Sequence, residues 1–215
     1  YITEQLASIE SQVDVKITLF VSDDCSSDST IDRITEFINR DDCFIDAIFL
    51  NSSRRFGSAT LNFLEALKQT PVSEFDYVCF SDQDDIWLPN KLSVAISKMK
   101  ATSSCGYSSN VIGWDYIHGK TFLVRKDGNQ TPYDFMFQGC GPGCSMVLDS
   151  DSSSKLVSFL NRISSNKIKK IWFHDWFIYA FFRANSMPWT IDSYAGMLYR
   201  QHTNNVIGAN SGYRA

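Results

Sequence analysis

The sequence is short of residues that break regular structure, with 5 prolines and 11 glycines in 215. That excludes collagen-like and Pro/Gly-rich disordered classes, while 44% hydrophobic and 20% charged residues suit one globular domain with a sizeable core. It also lacks a surplus of positive charge. With 20 Lys and Arg against 24 Asp and Glu, the formal net charge is -4, which argues against a general nucleic-acid binder, since replacing counterions along phosphates needs basic clusters. No CxxC pair is present; the six cysteines, Cys25, Cys43, Cys79, Cys105, Cys140 and Cys144, are scattered, which fits a reducing cytosol. Cys140 and Cys144 could bridge or share a metal, but small buried thiols are the simpler reading. Long apolar runs are missing too. "IWFHDWFIYAFF" (171–182) is interrupted by His174 and Asp175 and falls short of the about 20 residues a bilayer span requires. No signal-peptide pattern opens the chain, so a soluble protein is expected.

What is present alternates. "VKITLFV" (15–21) is apolar and β-branched as a buried strand is, and the Ser/Asp-rich loop after it leads to a helix with Ile31, Ile34 and Ile38 on one side. "FIDAIFL" (44–50), a polar loop and "TLNFLEALKQ" repeat that unit, and "FDYVCF" followed by "PNKLSVAISKMK" repeats it again. Strands alternating with helices predict an α/β fold with a mostly parallel sheet flanked by helices. The first residues, with Ile2, Leu6 and Ile9 on one face, read as a helix, so the chain starts on a helix with no strand before it. Beyond about residue 101 the periodicity gives way to Ser, Gly, Asn and aromatics, which read as irregular strands and loops. Helices return near 155–163 and in the aromatic segment bearing "HDW".

Two acidic loops follow strands: Asp23/Asp24, and Asp82, Asp84 and Asp85 in "CFSDQDDIWLPNKL". Ligands of open α/β sheets collect at the carboxyl ends of strands, so both loops can face one cleft. Like charges gathered there call for a positive partner. A hard divalent cation, Mg²⁺ or Mn²⁺, takes one or two protein carboxylates and fills its remaining positions with a diphosphate. The other reading is that the triplet caps the following helix and is merely solvated. Asp175 stands within a strongly apolar helix, where a carboxylate without a task is costly. His174 reads as packing or capping.

"VSDDCSSDST", "FSDQDDIWLPNKL", "FQGCGPGCSM", "FHDWF" and "YRQHTNNVIG" occur in the order and rough spacing of family-2 glycosyltransferases. The likeness spans residues 1 to about 208 and is nearest the rhamnosyltransferase-like members of bacterial polysaccharide clusters. The resemblance implies a GT-A fold in a single domain, 1–215, with a nucleotide-binding half to about residue 100 and a mixed β/helical acceptor-binding half from 101. It implies that Asp24 contacts the pyrimidine base with Asp23 in support, and that Asp82 and Asp84 form the D-x-D element, Asp84 on the metal and Asp82 on ribose or metal-bound water. Asp175 matches the catalytic base, and His202 a position that completes the metal site or contacts the diphosphate. Asp85, Gln138, Gly141, Cys144 and Trp176 would line the donor and acceptor pocket.

The implied reaction is inverting transfer of a sugar, rhamnose among the candidates, from a UDP- or dTDP-linked donor to a saccharide or lipid-linked acceptor, with Mn²⁺ or Mg²⁺ as cofactor. The implied location is the cytoplasm, with the inner face of the membrane as a compatible site of peripheral contact. The chemistry agrees: the departing diphosphate needs a cation, the attacking hydroxyl needs a base, and one base opposite the leaving group gives inversion. Two features depart from the family pattern. The usual first strand, with its Thr-Tyr-Asn-like turn, is not in the sequence, and Cys25 and Ser29 stand where glycines are common. Two alternatives follow: a non-catalytic relic that binds a nucleotide sugar or glycan, and an aspartyl-phosphate phosphotransferase. The latter expects Gly and Thr after D-x-D, which "DQDDIW" lacks.

Overall fold

The computed structural model describes residues 1–50 and 55–202; the Thr203–Gly208 part of the last motif lies outside them. The elements alternate as the sequence predicts: α1 (Ile2–Glu10), β1 (Thr18–Val21), α2 (Thr30–Ile38), β2 (Asp46–Phe49), α3 (Ala59–Gln69), β3 (Tyr77–Cys79), β4 (Ile86–Trp87) and α4 (Lys91–Thr102). Pro89 precedes the cap residue Asn90 instead of entering the first turn of α4. The second half adds β5 (Gly106–Asp115), β6 (Lys120–Val124), β7 (Val147–Asp149), α5 (Ser150–Arg162), α6 (Ser165–Ile168), α7 (His174–Ala184) and β8 (Trp189–Gln201).

The fold is α/β, but its larger sheet is mixed and not mostly parallel. β1 and β2 pair in parallel as a two-stranded sheet, and six strands form the other, ordered β3-β7-β5-β8-β4 with β6 on β5. Within it only β5 and β8 run parallel; the other pairings are antiparallel. The stretch read as irregular thus supplies two strands, β5 and β6, the first of them ten residues long. Its polar residues conceal them: Ser108, Ser109 and Asn110 are buried in β5, where their side chains are satisfied. Ser108 donates to the Cys140 carbonyl and accepts the Trp189 indole N–H, and the Asn110 amide donates to the Ser193 carbonyl. A buried polar group that is hydrogen-bonded costs little, so a strand can carry a polar sequence.

Two cores flank this sheet. Val147 and Cys79 pack in one with Leu6, Ile34 and Met99, while their neighbours Leu148 and Val78 pack in the other with Leu64, Leu156 and Phe182. Consecutive strand residues point to opposite faces, so the two clusters lie on the two sides of the sheet. Each cluster draws on both halves of the chain. An apolar groove of about 210 Å³ separates β1 from β3, lined by Leu19, Phe20, Leu67, Val78 and Phe80 among others.

Candidate active site

The acidic loop leaves β3 and is held by α1. Gln5 donates to Ser81, and the Ser8 hydroxyl accepts the Trp87 N–H, fixing both ends of residues 81–87. Within the loop Asp84 and Asp85 are buried and Asp82 is half-buried. Asp82, Asp85 and Cys144 present ligand-type atoms within 4.8 Å of one another, and Asp84 Oδ2 lies 2.8 Å from His202 Nε2. His202 stacks on Tyr1, ring centroids 5.0 Å apart. Burial and the neighbouring Asp84 push the Asp82 carboxyl up to about 6, with a smaller push from Asp175. Asp85 is held well above the ordinary carboxylate range by burial and by Asp82.

Positive charge is supplied from within the protein, by residues the sequence reading did not single out. Arg200, fully buried, donates its backbone N–H to Asp85 Oδ1 at 3.1 Å, Nε–H to the Asp84 carbonyl at 2.7 Å and Nη2–H to Glu4 at 2.8 Å. Its guanidinium faces the rings of Tyr1, Trp114 and Tyr116 at 4.5–4.6 Å. The planar, always-charged fork suits such a site, because it can make bonds in its plane while stacking on its faces. The Lys91 ammonium lies 3.7 Å from the Trp87 ring centre; burial lowers its pKa, and the nearby Asp85 carboxylate works against that. Arg200 was visible inside "YRQH"; Lys91 had no signal beyond its position in "PNKL".

The loop Gln138–Cys144 joins the acidic loop to α7. Cys144 sits against Asp82 and Asp85, Gly139 backs onto Trp176, and Gly143 lies so close to His174 that a Cβ there would fall 2.3 Å from Nε2. Gly141 has φ +132, in the region that side chains with a Cβ rarely adopt. The Gln138 side chain is exposed. Trp176 donates its indole N–H to the Phe135 carbonyl at 2.7 Å. The start of α7 is pinned by Thr60, whose hydroxyl donates to the Trp172 carbonyl and accepts the His174 N–H. His174, half-buried, packs against the rings of Phe63 and Phe80, and burial lowers its pKa, leaving it neutral. Asp175, half-buried in the first turn, accepts the Trp176 N–H at 2.7 Å.

Asp82, Asp85 and Cys144 are therefore brought together, with Asp84 of the acidic loop paired to His202, and Gly141 and Trp176 lie on the loop and helix that lead from Cys144 to Asp175. Asp23 and Asp24 make their contacts elsewhere. Asp23 accepts from the Ser26 N–H and hydroxyl; Asp24 accepts the Phe56 and Gly57 amides, tying the loop after β1 to the start of α3. Cys25 in that loop has φ +62, a conformation glycine adopts without steric cost. As a cation site the donor set is mixed: Asp82 and Asp85 are hard oxygen ligands and Asp85 Oδ2 is buried with no hydrogen-bond partner. Burial and the two carboxylates push the Cys144 thiol well up, so it stays protonated and is a poor ligand. The carboxylates, with Asp84 and His202 beside them, fit a hard divalent ion.

Comparison with known proteins gives the family and the fold. The chain is 42% identical over 217 residues to the dTDP-rhamnosyl transferase RfbG of Shigella flexneri, covering 100% of this chain and 73% of that protein. It is 28% identical over 151 residues to the Escherichia coli UDP-Glc:alpha-D-GlcNAc-diphosphoundecaprenol beta-1,3-glucosyltransferase WfgD, covering 69% of this chain and 54% of that one. In fold it matches S. aureus TarS 1-349 in complex with UDP-GlcNAc, with TM-score 0.67 at 18% identity, over 100% of this chain and 58% of that one. The structure thus has the α/β fold of those GT-A glycosyltransferases. Residues 1–139 match the Glycosyl transferase family 2 profile, and with the full-length similarity to RfbG this makes the chain a member of glycosyl transferase family 2.

Proposed function

We propose that the protein transfers a sugar, rhamnose the leading candidate, from a dTDP- or UDP-linked donor to a saccharide or lipid-linked acceptor in bacterial surface polysaccharide synthesis, inverting the anomeric centre. The observation that carries this is the convergence of the acidic loop with α7 through the loop between them: Cys144 lies against Asp82 and Asp85, while Gly139 and Gly143 pack on Trp176 and His174, the neighbours of Asp175. A carboxylate that can accept a proton thus stands beside groups suited to a diphosphate. The similarity to a dTDP-rhamnosyl transferase supports the donor.

In this reading Asp175 accepts the proton of the acceptor hydroxyl as that oxygen attacks the anomeric carbon, and the single displacement gives inversion. Asp84, His202, Asp82 and Asp85 would hold Mn²⁺ or Mg²⁺, which neutralises charge developing on the departing diphosphate. Arg200 holds the backbone of the acidic loop in place, and Gly141 with Trp176 shapes the sugar pocket, where Gln138 is available to donate or accept hydrogen bonds. Asp24 and Asp23 are proposed to set the base-binding loop, Asp24 by ordering residues 56–57. Residues to about 100 would then serve the donor and residues from 101 the acceptor. The six free thiols agree with a reducing, cytoplasmic setting.

A ligand that binds only the folded state raises stability by mass action, which supplies the test. dTDP, UDP and their sugars, screened with and without Mn²⁺, should raise the melting temperature only for the matching base, and more with the metal. No shift with any nucleotide would overturn the reading.

A further inference from the structure

The chain's net charge is -4, yet residues 162–173 carry Arg162, Lys167, Lys169 and Lys170 and no carboxylate. All four are exposed. Trp172, next in line, is 83% exposed. Across the first turn of α7 lies the loop 133–137, where Tyr133, Met136 and Phe137 are also exposed, Phe137 at 79%. The two segments adjoin, because Trp176, four residues after Trp172, bonds to the Phe135 carbonyl and Gly139 packs on it. Asp134, the acid within that loop, is buried 3.0 Å from Arg183, so it adds no free negative charge to the face.

Large aromatic side chains left in water beside lysines form the pattern of an interfacial surface: the rings gain by entering the headgroup and acyl boundary while the ammonium groups stay among lipid phosphates. We propose that this face docks on an anionic bilayer, with Trp172, Phe137 and Met136 inserted and Lys167, Lys169 and Lys170 on the headgroups. Asp175 is three residues from Trp172, so docking turns the cleft toward an acceptor carried in the membrane. Docking rests on the surface alone; only its link to the acceptor rests on the transferase reading. The charge complementarity selects an anionic membrane over an uncharged one.

The test is co-sedimentation with vesicles of phosphatidylcholine alone or mixed with phosphatidylglycerol. The parent should pellet with the mixed vesicles and far less with the neutral ones. Lys167→Gln/Lys169→Gln/Lys170→Gln should bind about 100-fold more weakly, from roughly a fivefold loss per lysine at an anionic surface. Trp172→Ser should weaken binding while melting normally, and the vesicle-induced blue shift of tryptophan emission should vanish in Trp172→Phe. A parent that stays in the supernatant with mixed vesicles would overturn the proposal and leave the face to a protein partner. So would variants that bind as the parent does. dTDP binding is measured separately: its absence counts against the transferase reading and leaves vesicle docking standing.

Discussion

At the residue scale, Asp82 and Asp85 hold their protons more tightly in the folded protein than in the unfolded chain, Asp82 up to about 6. The folded state therefore binds more protons through that range, and stability falls as pH rises from about 4 to 6. Urea unfolding at pH 4, 5, 6 and 7 should show that decline, and Asp82→Asn should flatten it. Added Mn²⁺ should raise stability more at pH 7 than at pH 4, because the cation competes with protons for the same carboxylates. The Arg200 guanidinium holds the acidic loop through bonds to the Asp84 carbonyl and to Glu4, which a lysine cannot reproduce in one plane. Arg200→Lys should cost about 3 kcal/mol, toward the lower end for disrupting a buried charge because its partner Glu4 is half exposed. A change under 1 kcal/mol in urea unfolding would show that the aromatic cage and backbone bonds form without it.

At the scale of elements, the site depends on the close approach of the loop Gln138–Cys144 to the start of α7. Gly143→Ala would place a Cβ against His174 Nε2, and overpacking of this kind costs about 1–3 kcal/mol. The melting temperature should fall and transfer should fall with it; a variant as stable as the parent would show that the loop can yield. Much of this assembly was legible in sequence. The apolar runs before Asp23 and Asp82, and the helical spacing after each, located β1 and β3 with α2 and α4. The motifs contained Asp82, Asp85 and Cys144, which lie together, and Asp84 and His202, which pair. β5 was not legible, because Ser108 and Asn110 read as loop residues until their partners in Cys140, Trp189 and Ser193 are known. The partners of Asp24 were hidden for the same reason: they are backbone amides 32 and 33 residues away.

For the whole molecule, the two cores on either face of the mixed sheet bring chain segments as distant as Asp84 and His202 within hydrogen-bonding reach. The central claim is that this scaffold serves one transfer reaction, with Asp175 as its base. Its most direct measurement is acceptor-dependent release of dTDP from dTDP-rhamnose by parent and Asp175→Asn, with donor affinity and melting temperature recorded on the same samples. Asn keeps the shape and hydrogen-bonding reach of Asp while removing the proton acceptor. The account predicts unchanged melting and donor binding, with a rate lower by about 10²- to 10⁴-fold. Transfer at the parental rate by a variant that folds and binds donor normally would contradict it.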